Sequence, residues 1–413
     1  IETRLRMAHF LSQVLTETGG LKRIDENMNY SYKALMRVFS RKTVSEADAR
    51  RVRRSDYVSC TVAFIDCKKP GSHLKENYSI IGPGVTSSSD QVINLPEAHG
   101  FNIGAAAMPN GITNNLHIHF TAEVFIVQKG EWTFRWGSNG ENEFVGRAGD
   151  IVSVPTWIFR GFTNTGPDDG WLFTVLGGDN TGGVIFHPDI IREAADYGLY
   201  ISSENTLIDT SRGDPVPAPE DCIPPMPDAE VAVLRDVSHA EMRRRVVTEA
   251  DRDFRPAFID RDLPGCGAEL APVIGHGLTQ NREHVAPITN PHGFSVDWLR
   301  LAPGHRVSPF TLDDKMVLIV RHGRMKLNFN DGADVAVTLE PWDTYSVPAG
   351  VLRSIEAAGD EAAEALVVVS GDHRKRPAFA PAVLAAAQDG GLGLDAGGFV
   401  AKAALLPLYR RAG

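Results

Sequence analysis

The stretch from Gly111 to Gly130, GITNNLHIHFTAEVFIVQKG, decides how the rest of this chain is interpreted. It places His117, His119 and Glu123 close together. Side chains two positions apart on a β-strand point to the same face, so both imidazoles share a face that Glu123 reaches around a short turn. Two neutral imidazoles and a carboxylate with open coordination positions suit non-haem Fe(II). The alternative is a pair of strand histidines that lie beside an acid by chance.

The spacing of these residues and of the framing glycines resembles the first signature of the cupin superfamily, position by position. The resemblance implies a second signature downstream. The chain matches it at four of six positions, with Trp157 in place of a glycine and Arg160 in place of the histidine that would be the last metal ligand. An arginine keeps its proton and does not ligate a metal. The resemblance therefore implies a metal site with three protein ligands, His117, His119 and Glu123.

The same pattern returns in the second half of the chain. A shift of 193 residues takes Gly111 to Gly304 and Gly130 to Gly323. The same shift, or one of 194, relates Asp150 to Asp343, Arg160 to Arg353, His99 to His292, Pro188 to Pro381, and Phe64 to Phe258. The chain from about residue 62 to 400 is therefore a duplicated unit, each copy a cupin barrel followed by a short helix.

The repeat and the resemblance predict a mainly β fold of two tandem cupin barrels, of the RmlC-like jelly-roll type, with a short α-helical N-terminal segment. We expect a helical segment at 1–58, a first cupin domain at 59–213, a proline-rich linker at 214–237 and a second cupin domain at 238–413. Short β-rich runs separated by turn residues begin at Val62, which sets the first boundary. Capping boxes are expected at Ser45 with Asp48 and at Ser238 with Glu241.

The segment 1–58 carries a resemblance of its own. Residues 10–41, FLSQVLTETGGLKRIDENMNYSYKALMRVFSR, resemble the opening of the chitinase-like endolysins, glycosidases in which the Glu of a His-Glu-Thr-Gly-Gly stretch is the general acid. Glu17 holds that position, but Thr16 stands where that family has histidine. Glycoside hydrolysis needs a second carboxylate, and β-structure begins before one can be placed. We expect a structural appendage or fused remnant rather than a working glycosidase.

The two copies differ at the predicted ligands. His117, His119 and Glu123 correspond to Phe310, Leu312 and Met316. Burying two imidazoles and a carboxylate with neither metal nor partners costs several kcal/mol. Copy two shows that the same fold can carry apolar residues at these positions. We therefore predict a divalent transition metal in copy one only, with Fe²⁺ favoured and Mn²⁺, Ni²⁺ or Zn²⁺ as alternatives.

Arg160 and Arg353 occupy the same place in the copies with and without ligands. Arg160 either binds a substrate carboxylate or enolate through its guanidinium, or pairs with an acid that both barrels share, such as Asp150 and its counterpart Asp343. The ion pair is preferred because the arginine persists where the metal ligands do not. Arg160 nevertheless stays with Glu123 among the candidate catalytic residues.

His99, like Arg160, is repeated in the copy without ligands, where His292 is its counterpart. A structural role at a strand start is therefore favoured over a fourth metal ligand. Among the many aromatic residues of copy one, most are expected in the core. Phe125, Trp157 and Phe159 are the candidates for holding a flat or apolar substrate.

Composition limits the partners. The chain of 413 residues has a net charge of −10 and a pI near 5.7 with no basic stripe, which argues against nucleic acid and anionic membrane as partners. No apolar run is long enough to cross a bilayer. The four cysteines form neither a metal spacing nor a dense disulfide framework, which favours a cytoplasmic location. A small-molecule substrate is expected, and the sequence is compatible with a homo-oligomer.

Three hypotheses for function follow. Resemblance to the quercetinase-like and gentisate-cleaving bicupin dioxygenases implies an enzyme that opens a small aromatic or enolic substrate, with Glu123 ligating the metal or taking the substrate proton. Other cupin reactions, such as isomerisation and decarboxylation, and a non-catalytic binding or sensor protein are the alternatives to this first hypothesis. The last is a glycosidase carried by the segment 1–58.

Overall fold

The computed structural model describes residues 43–330 and 335–407. The endolysin-like stretch, with Thr16 and Glu17, lies outside the described residues.

The helices are α1 (Val44–Asp48), α2 (Pro188–Asp196), α3 (Asp228–Val231), α4 (His239–Arg243) and α5 (Pro381–Asp389). The first half of the chain holds strands β1 (Arg51–Val52), β2 (Glu76–Ile81), β3 (Ile93–Leu95), β4 (Phe101–Met108), β5 (Thr113–His119), β6 (Glu123–Lys129), β7 (Glu131–Trp136), β8 (Asn142–Arg147), β9 (Ile151–Val154), β10 (Arg160–Asn164), β11 (Gly170–Gly177), β12 (Val184–Phe186), β13 (Leu199–Ile201) and β14 (Leu207–Asp209). The second half holds β15 (Val246–Val247), β16 (Arg255–Pro256), β17 (Glu269–Ile274), β18 (Phe294–Leu301), β19 (Arg306–Thr311), β20 (Met316–His322), β21 (Met325–Phe329), β22 (Val335–Leu339), β23 (Thr344–Val347), β24 (Arg353–Ala357), β25 (Ala363–Ser370), β26 (Ala378–Phe379), β27 (Leu392–Leu394) and β28 (Val400–Lys402).

Each copy folds into a barrel of two facing sheets. In the first barrel, a seven-stranded sheet in the order β15-β9-β6-β11-β4-β2-β3 faces a five-stranded sheet in the order β12-β5-β10-β7-β8. In the second, the order β1-β23-β20-β25-β18-β17-β16 faces β22-β21-β24-β19-β26. The mainly β fold of two tandem barrels that the repeat predicts is therefore confirmed.

Side-chain alternation explains why each strand lies where it does. Along β7, Trp132, Phe134 and Trp136 are buried and the residues between them are only partly buried, as expected of a strand with one face on the barrel interior. In β6, five consecutive residues are buried because both faces are covered. Phe125 packs inside the barrel, whereas its neighbour Val124 packs against the second barrel.

The two barrels share a core between their seven-stranded sheets. Val124 and Ile126 of β6 belong to the same apolar cluster as Val317 and Ile319 of β20. The interface is bordered by a repeated polar contact. His99 Nε2 lies 2.7 Å from Ser346 Oγ, and His292 Nε2 lies 2.7 Å from Ser153 Oγ. His99 therefore joins the barrels, in agreement with the structural role expected for it.

The predicted boundary at residue 58 is wrong, because residues 43–58 belong to the duplicated unit. Helix α1 is capped by Thr43, with Glu46 completing the capping box, rather than by the predicted Ser45. Strand β1 then pairs with β23 of the second barrel. The chain is therefore not helical up to residue 58, and its arm α1–β1 is part of the second barrel's sheet.

The start of copy two mirrors this arm. Ser238 caps α4 by accepting a hydrogen bond from the Glu241 amide, but the Glu241 carboxylate binds Arg235 rather than completing the predicted capping box. Strand β15 then pairs with β9 of the first barrel. Residues 238–247, predicted to open the second domain, thus lie on the first barrel. The two copies exchange their N-terminal arms. The sequence does not show this because arms of about ten residues carry little hydrophobic periodicity.

The linker between the copies is attached to the first barrel rather than a free spacer. Residues Pro219–Asp221 form a 3₁₀ turn, and Cys222 makes an isolated bridge to Ser202. Met226 is buried against Ile118 and Phe159 on the outside of the five-stranded sheet. Among the residues described, no helix has the length and apolar character needed to cross a membrane.

Candidate metal centre

The predicted ligands converge at one end of the first barrel. His117 and His119 end β5, Glu123 begins β6, and Arg160 begins β10 directly opposite His117. Their relative exposures are 4%, 1%, 4% and 2%, respectively. β5 and β6 do not pair as a hairpin, because β5 belongs to the five-stranded sheet and β6 to the seven-stranded sheet. The short turn between them brings all three donor groups into the barrel interior.

The donor atoms are arranged as a metal ion requires. His117 Nε2 lies 3.0 Å from His119 Nε2, and His119 Nε2 lies 3.3 Å from Glu123 Oε1. Metal–nitrogen bonds of roughly 2.1 Å at right angles would separate two donors by about 3 Å. One atom from each residue lies within 4.8 Å of the others. Two imidazoles and one carboxylate on a shared face fit a divalent transition metal.

Hydrogen bonding and burial leave these groups in the charge states that ligands need. His117 Nδ1 lies 2.7 Å from the Asn115 carbonyl oxygen, so Nδ1 carries the proton and the Nε2 lone pair is left for a metal. Burial lowers the pKa of His117 to about 3 and also lowers that of His119. Burial works to raise the pKa of Glu123, but His119 and Arg160 outweigh it and bring the pKa to about 2. At neutral pH both imidazoles are uncharged and the carboxylate is ionised.

Several buried polar atoms at the site have no hydrogen-bond partner within the described part of the chain. They are Glu123 Oε2, His119 Nδ1, and Arg160 Nε and NH1. A buried polar atom without a partner costs about 1–3 kcal/mol. A metal ion that bound the carboxylate would offset part of that cost. The unpartnered carboxylate oxygen therefore supports a metal site over a chance histidine pair.

The shared ion pair predicted for the two arginines is wrong. Asp150 accepts hydrogen bonds from the backbone amides of Arg147 and Glu249. It is therefore not the partner of Arg160. The acid nearest to Arg160 is Glu123, with Nε 3.8 Å from Oε2, and a guanidinium NH2 donates to the Pro155 carbonyl oxygen. Arg160 thus lies beside the predicted metal ligand Glu123.

Arg353 in the second barrel has no acid partner among the described residues. Its guanidinium lies 4.5 Å from the centroid of Phe310 and donates to the Val351 carbonyl oxygen. Burial alone lowers its pKa to about 9. Around it the counterparts of the ligands, Phe310, Leu312 and Met316, are buried to 1% exposure or less. The second barrel therefore has the filled apolar core that the sequence predicts.

A cavity of about 40 Å³ opens onto the three ligands. Phe125 lines it, as predicted, together with Phe162. Phe159 does not, because it precedes Arg160 on β10 and alternation turns it outward, where it packs beside His187. Trp157 does not line it either. Its side chain is 48% exposed and lies beside Phe120.

Trp157 has a role in the backbone around the site instead. Its φ is +59°, in the left-handed region that favours glycine, which explains why the cupin signature has glycine there. Its amide donates to the His119 carbonyl oxygen at 3.2 Å. The turn before β10 is thereby joined to the strand that carries the histidines.

Sequence reasoning missed other polar residues that line the same cavity. Lys75, Asn77, Asn114 and Thr174 also line it. Lys75, just before a strand, and Asn114, three residues before His117, match no metal-ligand spacing. The motifs alone therefore do not single them out. The signal that was available is the comparison of the copies, in which Lys75 corresponds to Ala268 and Asn114 to Val307.

Comparison with solved structures agrees with this architecture. The oxalate decarboxylase of Lactobacillus farciminis, solved as a formate complex, is similar at 15% identity over 84% of this chain and 93% of that one, with a TM-score of 0.52. An oxalate decarboxylase from Bacillus subtilis is 12% identical over 79% of this chain and 77% of that one, with a TM-score of 0.47. A vicilin from Capsicum annuum is 12% identical over 80% and 88%, with a TM-score of 0.48. The first likeness shows the fold, that of a bicupin. No model of a protein family matches the sequence, and no curated protein matches it.

Proposed function

We propose that this bicupin is a metal-dependent enzyme that acts on a small anionic substrate in its first barrel, and that its reaction is the oxidative cleavage of an enolic or aromatic acid. The observation that carries the proposal is the buried set His117, His119 and Glu123, open to a cavity in one copy and replaced by packed apolar residues in the other. A storage or scaffold role gives no reason for keeping these groups in one barrel only.

The charges at the cavity favour an anionic substrate. Glu123 is paired with Arg160, and Lys75 is paired with Asp66, so these four charges cancel. A divalent metal adds two positive charges in a buried place, where uncompensated charge is costly. An enolate or carboxylate bound beside the metal compensates them. Anionic substrates therefore bind more favourably than neutral ones of the same shape.

The protein groups have separate tasks in this proposal. His117, His119 and Glu123 would hold the metal, which would supply Lewis-acid and redox chemistry there. Arg160 keeps Glu123 ionised and oriented, and is a positioning residue because it does not line the cavity. Phe125 and Phe162 form the apolar wall that excludes water. As an ionised carboxylate at that site, Glu123 is also the candidate base.

A second candidate reaction is decarboxylation of a small carboxylic acid. The cavity of about 40 Å³ exceeds the roughly 10–15 Å³ that one water requires, yet it has room for only a compact molecule. Such a size suits a small carboxylate better than a multi-ring flavonoid. The solved oxalate decarboxylase shares only the fold at 15% identity, so the small cavity is the observation that favours this candidate.

The test begins with metal content and continues with turnover. Purified protein is reconstituted with Fe, Mn, Ni and Zn in turn, and we expect about one metal ion per chain. Oxygen uptake and carbon dioxide release are then measured on enolic, 2-hydroxyaromatic and small dicarboxylic acids. Uptake of oxygen supports the cleavage reaction, and carbon dioxide without oxygen uptake supports decarboxylation.

The matched control copies the second barrel. A triple variant, His117→Phe with His119→Leu and Glu123→Met, should fold, bind no metal and lose all turnover. Tight binding of small acids by the metal-loaded parent with no turnover on any of them would contradict an enzyme and favour the binding or sensor protein. Metal near two ions per chain, or near zero, would contradict the single site.

A further inference from the structure

Lys75 is a buried cation in the wall of the metal cavity. It directly precedes β2 and is 4% exposed. Its Nζ donates to Asp66 Oδ1 and Oδ2 at 2.7 and 2.9 Å and to Asn114 Oδ1 at 2.6 Å. It also lies 4.9 Å from the centroid of the Phe64 ring. Lysine is rarely buried to this extent unless it is paired, so a reason for its presence is required.

A bulge in β5 puts Asn114 in the same cavity. Arg160 and Phe162 of β10, two residues apart, pair with His117 and Asn114 of β5, three residues apart. The extra residue in β5 is a β-bulge, which shifts the alternation of the strand. Asn114 therefore faces the interior with His117, although strict alternation would place them on opposite faces. Its amide oxygen accepts from Lys75, which leaves the NH2 group as its remaining donor.

The second barrel shows which of these features the fold keeps when the metal ligands are absent. It keeps the bulge, between Val307 and Phe310, and it keeps the acid, since Asp66 corresponds to Asp260. Lys75 and Asn114 have become Ala268 and Val307, both buried to 1% exposure or less. Asp260 accepts from the Ser308 amide at 2.6 Å without a lysine. A lysine is therefore not needed to keep this aspartate in the fold.

Lysine and asparagine are thus present in the copy that has the metal ligands and absent from the copy that lacks them. Five interior positions, those of Lys75, Asn114, His117, His119 and Glu123, are polar in copy one and apolar in copy two. Such joint retention is expected of groups that serve one site. Lys75 uses its three ammonium hydrogens on Asp66 and Asn114, so the Asn114 NH2 group that it orients is the donor left for an incoming oxygen.

We propose that Asn114, held in place by Lys75, donates to a second oxygen of the substrate while the first is held at the metal, so that the site selects small acids with two oxygen-bearing groups. The proposal rests on the proposed function for the presence of the metal. It assigns to Asn114, oriented by Lys75, the anion-binding role that the sequence suggests for Arg160. Dicarboxylates and 2-oxo or 2-hydroxy acids are the ligand class that fits.

The test compares malonate with acetate by calorimetric titration of the metal-loaded full chain. The variant Lys75→Met with Asp66→Asn removes both charges, so that no charge is left unpaired in the interior. We expect it to keep its metal and to bind acetate as the parent does, while its affinity for malonate falls roughly ten- to a hundredfold, the effect of losing one charge-assisted hydrogen bond. Lys75→Arg is the conservative control and should recover part of the affinity.

The outcomes separate this inference from the proposed function, because binding is measured without turnover. A variant that binds malonate as tightly as the parent, or a parent with no preference for malonate over acetate, overturns the inference. Loss of metal in a folded double variant also overturns it, since Lys75 would then support the ligands alone. A parent that prefers malonate, loses that preference in the variant and turns over no substrate upholds Lys75 and rejects the enzyme.

Discussion

At the scale of single residues, Arg160 and Arg353 show how the same side chain at equivalent positions acquires different roles. Arg160 compensates Glu123, 3.8 Å away, whereas Arg353 is buried beside Phe310 with two guanidinium nitrogens unpartnered within the described residues. Replacing an unpaired buried charge by an apolar side chain is often neutral or stabilising. We therefore expect Arg353→Met to leave the free energy of unfolding unchanged or to raise it.

Arg160→Met should behave differently because it leaves Glu123 without a countercharge. In metal-free protein we expect it to lower the free energy of unfolding by about 3 kcal/mol, as breaking a buried pair does. Bound metal should restore most of that loss, since the metal then compensates the carboxylate. Denaturant unfolding with and without metal measures both effects. Equal destabilisation of the two arginine variants, unaffected by metal, would contradict these roles.

Asp297 in β18 provides a pH-dependent prediction away from the metal site. It is fully buried, and its Oδ2 accepts from the Leu278 amide at 2.8 Å. Burial raises the pKa of Asp297 to about 7, against the lowering effects of that amide and of Lys375. The folded protein thus holds a proton that the unfolded chain releases near pH 4. Stability from this group is present below about pH 4 and is lost as pH rises toward 7, by roughly 1.4 kcal/mol per pH unit.

The matched variant is Asp297→Asn, which keeps the acceptor for Leu278 and cannot ionise. Its free energy of unfolding relative to the parent should increase between pH 5 and 7 and level off above pH 8. Urea unfolding at a series of pH values measures that difference. A difference that stays constant across this range would show that Asp297 remains ionised in the folded protein.

At the scale of strands, β19 shows that copy two has a packed core at the positions equivalent to the candidate site. Phe310 is completely buried and lies 5.6 Å from the Phe379 ring. Phe310→Ala should lower the free energy of unfolding by roughly 3–5 kcal/mol, as large-to-small changes in cores do. His117→Ala, at the equivalent position, should abolish metal binding and cost less stability, because it removes a polar group that the metal-free protein buries unfavourably. A Phe310→Ala protein as stable as the parent would show that this core is loosely packed.

The strands also show which residues of the candidate site the sequence could place and which it could not. Glycine framing and two-residue periodicity place His117, His119, Glu123 and Phe125 correctly, because each is set by its own strand. Asn114 could not be placed, since the bulge that turns it inward depends on pairing with β10. Phe159 is not in the cavity, because it directly precedes Arg160 and alternation turns it to the outer face of the sheet. Periodicity thus fixes faces within a strand, whereas bulges and distant contacts come from the partner strand.

At the scale of the whole molecule, the two barrels depend on each other. Their seven-stranded sheets share an apolar core, and each sheet gains an edge strand from the other copy's arm, β1 on the second barrel and β15 on the first. Tyr57, which follows β1, donates its hydroxyl to the Trp342 carbonyl oxygen of the second barrel and stacks on Trp171 of the first. The second barrel therefore covers one face of the barrel that carries the candidate metal ligands.

This dependence predicts the behaviour of a chain divided in the linker, between Val216 and Pro217. Both residues lie in a stretch without helix or strand, and Val216 is exposed, so the cut itself breaks little packing. Fragment 43–216 expressed alone lacks β15 and exposes its share of the common core, and fragment 217–407 lacks β1. Large exposed apolar surfaces lead to association or aggregation. We expect each fragment alone to aggregate or self-associate, and the two expressed together to form an equimolar complex that binds metal as the intact chain does. Size-exclusion chromatography with light scattering and metal analysis measures this. A monomeric first fragment that binds metal and melts like the intact chain would show that the first barrel needs neither the arm nor the core of its neighbour.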